Sequence, residues 1–178
     1  SDRKAAAEQV PAPDGYDSLA IIPRPLCALE GGRLRWGLGL AALRLFRTEA
    51  GILPFVELGA DYFDRVDASP DDKKMFFLRG GAFFPAGAIS LRGDIGIATI
   101  GGQATPSIGC GLWHFSGLAI RKPPALADYP DYAGWLDAQR RFDAENGQSQ
   151  STALGATLHF LPGLDPALVL SLSFVVFF

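Results

Sequence analysis

Apolar side chains recur at every second position along most of the chain. The clearest run is 88–99, "AISLRGDIGIAT": Ile89, Leu91, Ile95 and Ile97 share one parity, and Ser90, Arg92, Asp94 and Gly96 the other. Successive side chains of a strand point to opposite faces, so this pattern predicts a strand with one greasy and one mixed face. In 33–46, Leu34, Trp36, Leu38, Leu40 and Ala42 oppose Arg33, Arg35, Gly37 and Gly39. In 52–63, Val56, Leu58, Ala60 and Tyr62 oppose Glu57, Gly59 and Asp61. In 74–84, Phe76, Leu78, Ala82 and Phe84 oppose Phe77, Arg79, Gly81 and Phe83. Alternation continues through 19–30, 107–120, 152–160 and 167–178. With turn signals between the segments, the pattern predicts eight strands of roughly 9 to 14 residues.

The mixed parity decides what surrounds such a sheet. It carries Arg24, Arg35, Glu57, Asp61, Arg79, Arg92 and Asp94, only one or two charges per strand, amid Gly, Ala and Phe. A soluble lipocalin-like barrel would turn this parity to water and the greasy one inward. The face is too poor in charge for that, whereas a membrane barrel places it in the lumen and the greasy parity against lipid. Both signs of charge are present, so an interior ion-pair network of Arg35, Glu57, Asp61, Arg79, Arg92 and Asp94 is expected. No run approaches the ~18 apolar residues of a membrane helix, so a spanning structure must be a closed barrel without sheet edges. The expected fold is all-β: an eight-stranded antiparallel transmembrane β-barrel with a short helical insertion between strands six and seven. A barrel of this size is filled by side chains and does not conduct. Phe77, Phe83, Trp113 and Phe115 share the inward parity and are expected to plug it.

Organisation follows from the breaks in alternation. Residues 1–16 are polar and interrupted by Pro11 and Pro13, and read as a lead-in; 17–178 read as the barrel domain, with 122–150 as a long connection. Within that connection "DYAGWLDAQRRFDAENG" has Asp131 as N-cap, Trp135, Ala138 and Phe142 on one face, and Asn146–Gly147 as a stop, which predicts a helix over about 130–145. If both barrel termini are periplasmic, the sixth connection is periplasmic too.

Composition narrows the chemistry. The 178 residues carry a net charge of −3, with a sequence pI near 5.3, and give no nucleic-acid footprint. The 21 glycines and 13 phenylalanines suit curved strands and aromatic girdles. Cys27 and Cys110 fall on the outward parity of strands that are not neighbours, so both are expected as free thiols. No Cys/His spacing suggests a metal, and no cofactor is expected.

Three residue patterns resemble known families. A final Phe178, with apolar residues at every second position before it, resembles the C-terminal assembly signal of bacterial outer-membrane barrels. That implies an outer-membrane location, the barrel assembly machinery as a partner, and lipid or lipopolysaccharide around the wall. The stretch "HFSGLAIRKPP" resembles the active-site strand of the lipid A 3-O-deacylase PagL family, with His114, Phe115, Ser116, Arg121 and Pro123 at the matching positions and Gly117 in place of that family's Asn. The resemblance implies His114 as base, Ser116 as nucleophile and an acidic third member near Asp128. The lead-in, the first-strand Pro23 and Pro25, and the last hairpin resemble the architecture of the lipid A palmitoyltransferase PagP. In that family prolines loosen strand pairing to admit lipid, a role that falls here on Pro23, Pro25, Pro106 and Pro162; its first-strand histidine has no counterpart. The expected function is a non-channel outer-membrane barrel that anchors or scaffolds, with periplasmic contacts including a protein partner. A lipid A acyl hydrolase or acyltransferase is the alternative.

Overall fold

The computed structural model describes residues 17–46, 48, 50–64, 74–116, 123–146, 152–164 and 166–177. The 1–16 lead-in, Arg121, Gly147 and Phe178 lie outside them. Eight strands close on themselves as an antiparallel up-and-down barrel: β1 (Asp17–Glu30), β2 (Arg33–Phe46), β3 (Leu53–Phe63), β4 (Lys74–Ala86), β5 (Ile89–Ile100), β6 (Gln103–Ser116), β7 (Thr152–Phe160) and β8 (Leu168–Val176). Between β6 and β7 come a 3-10 turn (Leu126–Asp128) and the helix α1 (Tyr132–Asn146). The near rim carries the start of β1 and the end of β8, and the far rim the opposite strand ends.

The sixth strand differs from its expected position. It starts at Gln103 rather than 107, because Gly101 and Gly102, at φ +56° and +79°, turn the chain back within two residues; 117–120, the expected end, lie outside the described residues. Left-handed backbone at both central residues is what a two-residue hairpin turn demands and glycine supplies without strain. Ser116 pairs with Thr152 at the start of β7, so His114 and Ser116 stand toward the near rim.

Ladder parity explains where prolines are tolerated. In an antiparallel sheet alternate residues address alternate neighbours. The β1–β2 register is unbroken from Asp17↔Phe46 to Glu30↔Arg33, so the nitrogens of Pro23 and Pro25 address β8. There the ladder consists only of Leu26↔Ser171 through Leu29↔Leu168. Pro54, Pro85 and Pro106 likewise address β2, β3 and β7 beyond the ends of those ladders. Only Pro23 and Pro25 act within the wall, and they leave the near-rim half of the β1–β8 seam without a ladder.

The outer surface is apolar around the whole circumference. Leu38, Leu58, Leu78, Ile95, Leu112 and Leu170 are exposed, Ile95 to 70%. Exposed aromatics bracket this belt: Trp36, Tyr62, Phe76 and Phe160 toward the far rim, Phe84 and Phe174 toward the near rim. An apolar band between two aromatic girdles is the surface of a barrel that faces lipid. Water would meet this surface unfavourably at every strand, which disposes of the soluble, faces-reversed arrangement.

The lumen is filled in three layers. Toward the near rim, Phe83 packs on Phe55, Trp113 and Phe115 with ring centroids 4.9, 5.2 and 5.0 Å away, and Phe115 meets Phe177. Toward the far rim, Ala28, Phe63, Met75, Ile100 and Leu161 are buried. Between the two plugs lies a layer of charge.

Candidate functional site

The charged layer is built by strand parity. Arg24, Glu57, Asp61, Arg79, Arg92, Asp94 and His159 come from β1, β3, β4, β5 and β7, and all are buried. Arg92 is the hub: its Nη2 donates to Glu57 Oε2 at 2.5 Å, and its Nε donates to Asp94 Oδ2 at 2.7 Å. Arg24 lies 3.5 Å from Glu57 Oε1 and 3.7 Å from Asp61 Oδ2. Arg79 donates through Nε to Ser107 Oγ at 3.1 Å, with Nη1 3.9 Å from Glu57. His159 Nε2 stands 3.5 Å from Asp94 Oδ1. Three guanidiniums thus face three carboxylates, and the layer is balanced with His159 neutral.

Aromatic rings carry what the carboxylates do not. The guanidiniums of Arg24 and Arg79 lie 4.6 and 4.0 Å from the centroid of the Phe77 ring. Phe77 therefore belongs to the charged layer and not to the plug with Phe83, Trp113 and Phe115. Arg92 lies 4.4 Å from the Phe55 centroid, where the layer meets the near-rim plug. Such contacts favour a desolvated cation over a ring face. Phe55 and Phe177 complete the plug by parity, the one signal that finds them. Arg35 sits apart from the network. It faces inward near the far rim, half-buried, and its Nε donates to Glu30 Oε2 at 2.9 Å.

His114 and Ser116 project outward from the last turns of β6, on the lipid-facing parity, and both are exposed. The imidazole Nδ1 is 2.7 Å from the Ala88 carbonyl oxygen. A carbonyl only accepts, so Nδ1 is the donor in this contact and Nε2 is the ring nitrogen it leaves unused. Ser116 stands opposite Thr152 of β7. Asp128 closes the 3-10 turn and is exposed, its backbone N–H donating to Ala125 O. The one described polar contact of His114 is with Ala88, not with Ser116 or Asp128.

The long connection is ordered locally. Asp131 Oδ1 accepts the Gly134 N–H at 2.7 Å, which caps α1, and Trp135 Nε1 donates to the Pro124 carbonyl at 3.0 Å. Tyr132 and Trp135 are in ring contact at 5.4 Å. Asp137, Arg140 and Arg141 form the exposed face. Cys27 and Cys110 are free thiols. Among the described residues no group of His, Cys, Asp and Glu is arranged to hold a metal.

No family model and no curated protein matches the chain. Among solved structures it is similar to neisserial surface protein A (NspA), at 11% identity and a TM-score of 0.56, over 92% of this chain and 96% of that one. It is also similar to Ail, the attachment invasion locus protein of Yersinia pestis, at 14% identity and a TM-score of 0.45, over 91% of this chain and 97% of that one. The likeness to NspA spans nearly the whole of both chains and is one of fold: this chain is a small, closed, eight-stranded antiparallel barrel.

Proposed function

We propose that the chain is a non-channel barrel of the bacterial outer membrane that serves as an anchor or scaffold, held in lipid or lipopolysaccharide by its wall and placed there by the barrel assembly machinery. The observation that carries this reading is the filled lumen: among the described residues, apolar plugs toward both rims enclose a charge-balanced layer and leave no axial path. A barrel that transmits nothing along its axis acts through its wall and its rims. Among the described residues the connection between β6 and β7 holds α1, whose charged face Asp137–Arg140–Arg141 suits contact with a periplasmic protein. The periplasmic side follows from counting strands, given periplasmic termini.

The test is accessibility in cells. A cysteine at Ala144→Cys, with Cys27→Ser and Cys110→Ser, is exposed to a membrane-impermeant maleimide. No labelling of intact cells and full labelling after permeabilisation is the expected result. Labelling of intact cells would invert the topology and remove support for the scaffold.

A second reading, a lipid A-modifying enzyme working from the wall, is favoured by one observation. His114 and Ser116 share the lipid-facing parity, and the Ala88 bond leaves Nε2 free to take a proton. In that reading Ser116 Oγ attacks a lipid ester carbonyl while His114 accepts its proton, the ester C–O bond breaks and the lipid alcohol leaves with that proton, and the acyl group on Ser116 then passes to water or to a second lipid hydroxyl. Mass spectrometry of lipid A from cells with and without the chain decides it. An acyl group lost or gained, and restored to normal by Ser116→Ala, would put the enzyme first.

A further inference from the structure

Five side chains of the central layer carry polar atoms that make no hydrogen bond among the described residues. They are Arg24 Nε and Nη2, both oxygens of Asp61, Arg79 Nη1 and Nη2, Asp94 Oδ1, and both ring nitrogens of His159. None of the five residues is more than 5% exposed. Buried polar groups are rarely left without a partner, because each costs a desolvation penalty that nothing offsets. These atoms also face one another. Arg24 Nη2 and Asp61 Oδ2 are 3.7 Å apart, and His159 Nε2 and Asp94 Oδ1 are 3.5 Å apart. Such separations are those of loose ion pairs, at or beyond the limit of a direct bond and too short to admit a group between the atoms, so the further partner these atoms lack must sit beside each pair.

The chemistry of the atoms identifies the class of bridge. Donors and acceptors are both present: guanidinium N–H groups on one side, carboxylate oxygens on the other, and one of each on neutral His159. A halide would satisfy only the donors, and a metal or ammonium ion only the acceptors. Either would also unbalance a layer in which three arginines already match three carboxylates, inside a medium that penalises uncompensated charge. What remains is a small neutral molecule that both donates and accepts.

We propose that the central layer is a hydration site, in which ordered water bridges Arg24 to Asp61 and His159 to Asp94 and takes up the free N–H groups of Arg79. A buried water typically has two to four polar partners of about this kind. The site is closed along the axis by Phe55, Phe83 and Trp113 on one side and by Phe63, Met75 and Ile100 on the other. The nearest weak stretch of the wall is the β1–β8 seam, whose ladder is absent where Arg24 lies between Pro23 and Pro25. Water held there exchanges with the bulk only when a plug or the seam opens, so it is long-lived.

The experiment is water-selective NMR on the isotope-labelled full chain in lipid nanodiscs, together with a crystal structure in which ordered waters are resolved. Expected are water cross-peaks to the side-chain N–H protons of Arg24 and Arg79 and to the ring N–H of His159. Density for water is expected beside the His159–Asp94 pair, within hydrogen-bond distance of both. In His159→Phe the cross-peaks near Asp94 are lost while those at Arg24 remain; if that variant does not fold, the wild-type measurements decide alone. Direct hydrogen bonds from Arg24 to Asp61 and from His159 to Asp94, with no cross-peaks, would overturn the proposal. Halide or metal density in the layer would overturn the assignment of a neutral ligand.

Discussion

Residue by residue, the interior is least tolerant where charge is buried. Arg92 holds both Glu57 and Asp94, so Arg92→Met leaves two carboxylates short of their partner. Breaking a buried pair from one side costs about 3–5 kcal/mol, and that loss is expected in urea unfolding from lipid vesicles. Arg35→Met removes only a partly exposed pair with Glu30, and a loss of about 0–1 kcal/mol is expected in the same assay. Equal losses would mean that the layer contributes no more than a rim contact. Gly155 is a different kind of constraint. A Cβ there would overlap the six-membered and five-membered rings of Trp113, which the plug holds in place. Gly155→Ala is expected to destabilise the barrel by about 1–3 kcal/mol and to shift the tryptophan emission, the signature of a displaced Trp113. An unchanged spectrum with unchanged stability would show that the plug is loosely packed.

Strand by strand, the seam is the exception. Seven of the eight ladders run along most of their strands, whereas β1 and β8 pair only through 26–29 and 168–171. Parity assigns Leu172, Phe174 and Val176 to the β1 side of β8. Continuing the register sets Pro25 opposite Leu172 and Pro23 opposite Phe174: the proline carbonyls can still accept from the Leu172 and Phe174 N–H groups, but the Leu172 and Phe174 carbonyls have no donor, so each pair is held by at most one bond within a wall where lipid offers no replacement. Hydrogen exchange in nanodiscs should therefore be faster at the amides of Leu172 and Phe174 than at those of Ser171 and Ser173, which address β7. Replacing both prolines by Val should slow exchange at Leu172 and Phe174. Equal protection throughout wild-type β8 would mean that the seam is closed by contacts other than its ladder. The helix α1 follows ordinary rules at its start: its capping bond comes from Asp131, the residue that sequence marks for the task.

At the scale of the whole molecule, a filled lumen has an electrical consequence. Purified barrel reconstituted in planar bilayers should give no discrete conductance steps, even at voltages at which larger barrels open. Steps that survive in a plug variant such as Phe83→Trp but disappear on boiling would show an axial path that the packing excludes. The two thiols report on assembly: Cys27 and Cys110 should both be alkylated after unfolding without reductant. Protection of both would require a bond between strands that the closed order of the barrel keeps apart.

Alternation alone determined the number of strands and, strand by strand, which face meets lipid, because side chains at spacing two cannot choose their face independently. Inward parity likewise singles out Arg24, Glu57, Arg79, Arg92 and Asp94 before any contact is known. The start of β6 escaped that logic: alternation survives a shift of an even number of residues, and only the glycine turn at 101–102 sets the register. Tertiary structure decided what parity leaves open. Position along the barrel axis depends on stagger between strands, and stagger is a property of the closed sheet. It separates Arg35 from the network, moves Phe77 from the aromatic plug to the guanidiniums, and brings His159 of β7 to Asp94 of β5 across a strand. Stagger also leaves Pro23 and Pro25 in mid-wall while the other strand prolines fall beyond their ladders.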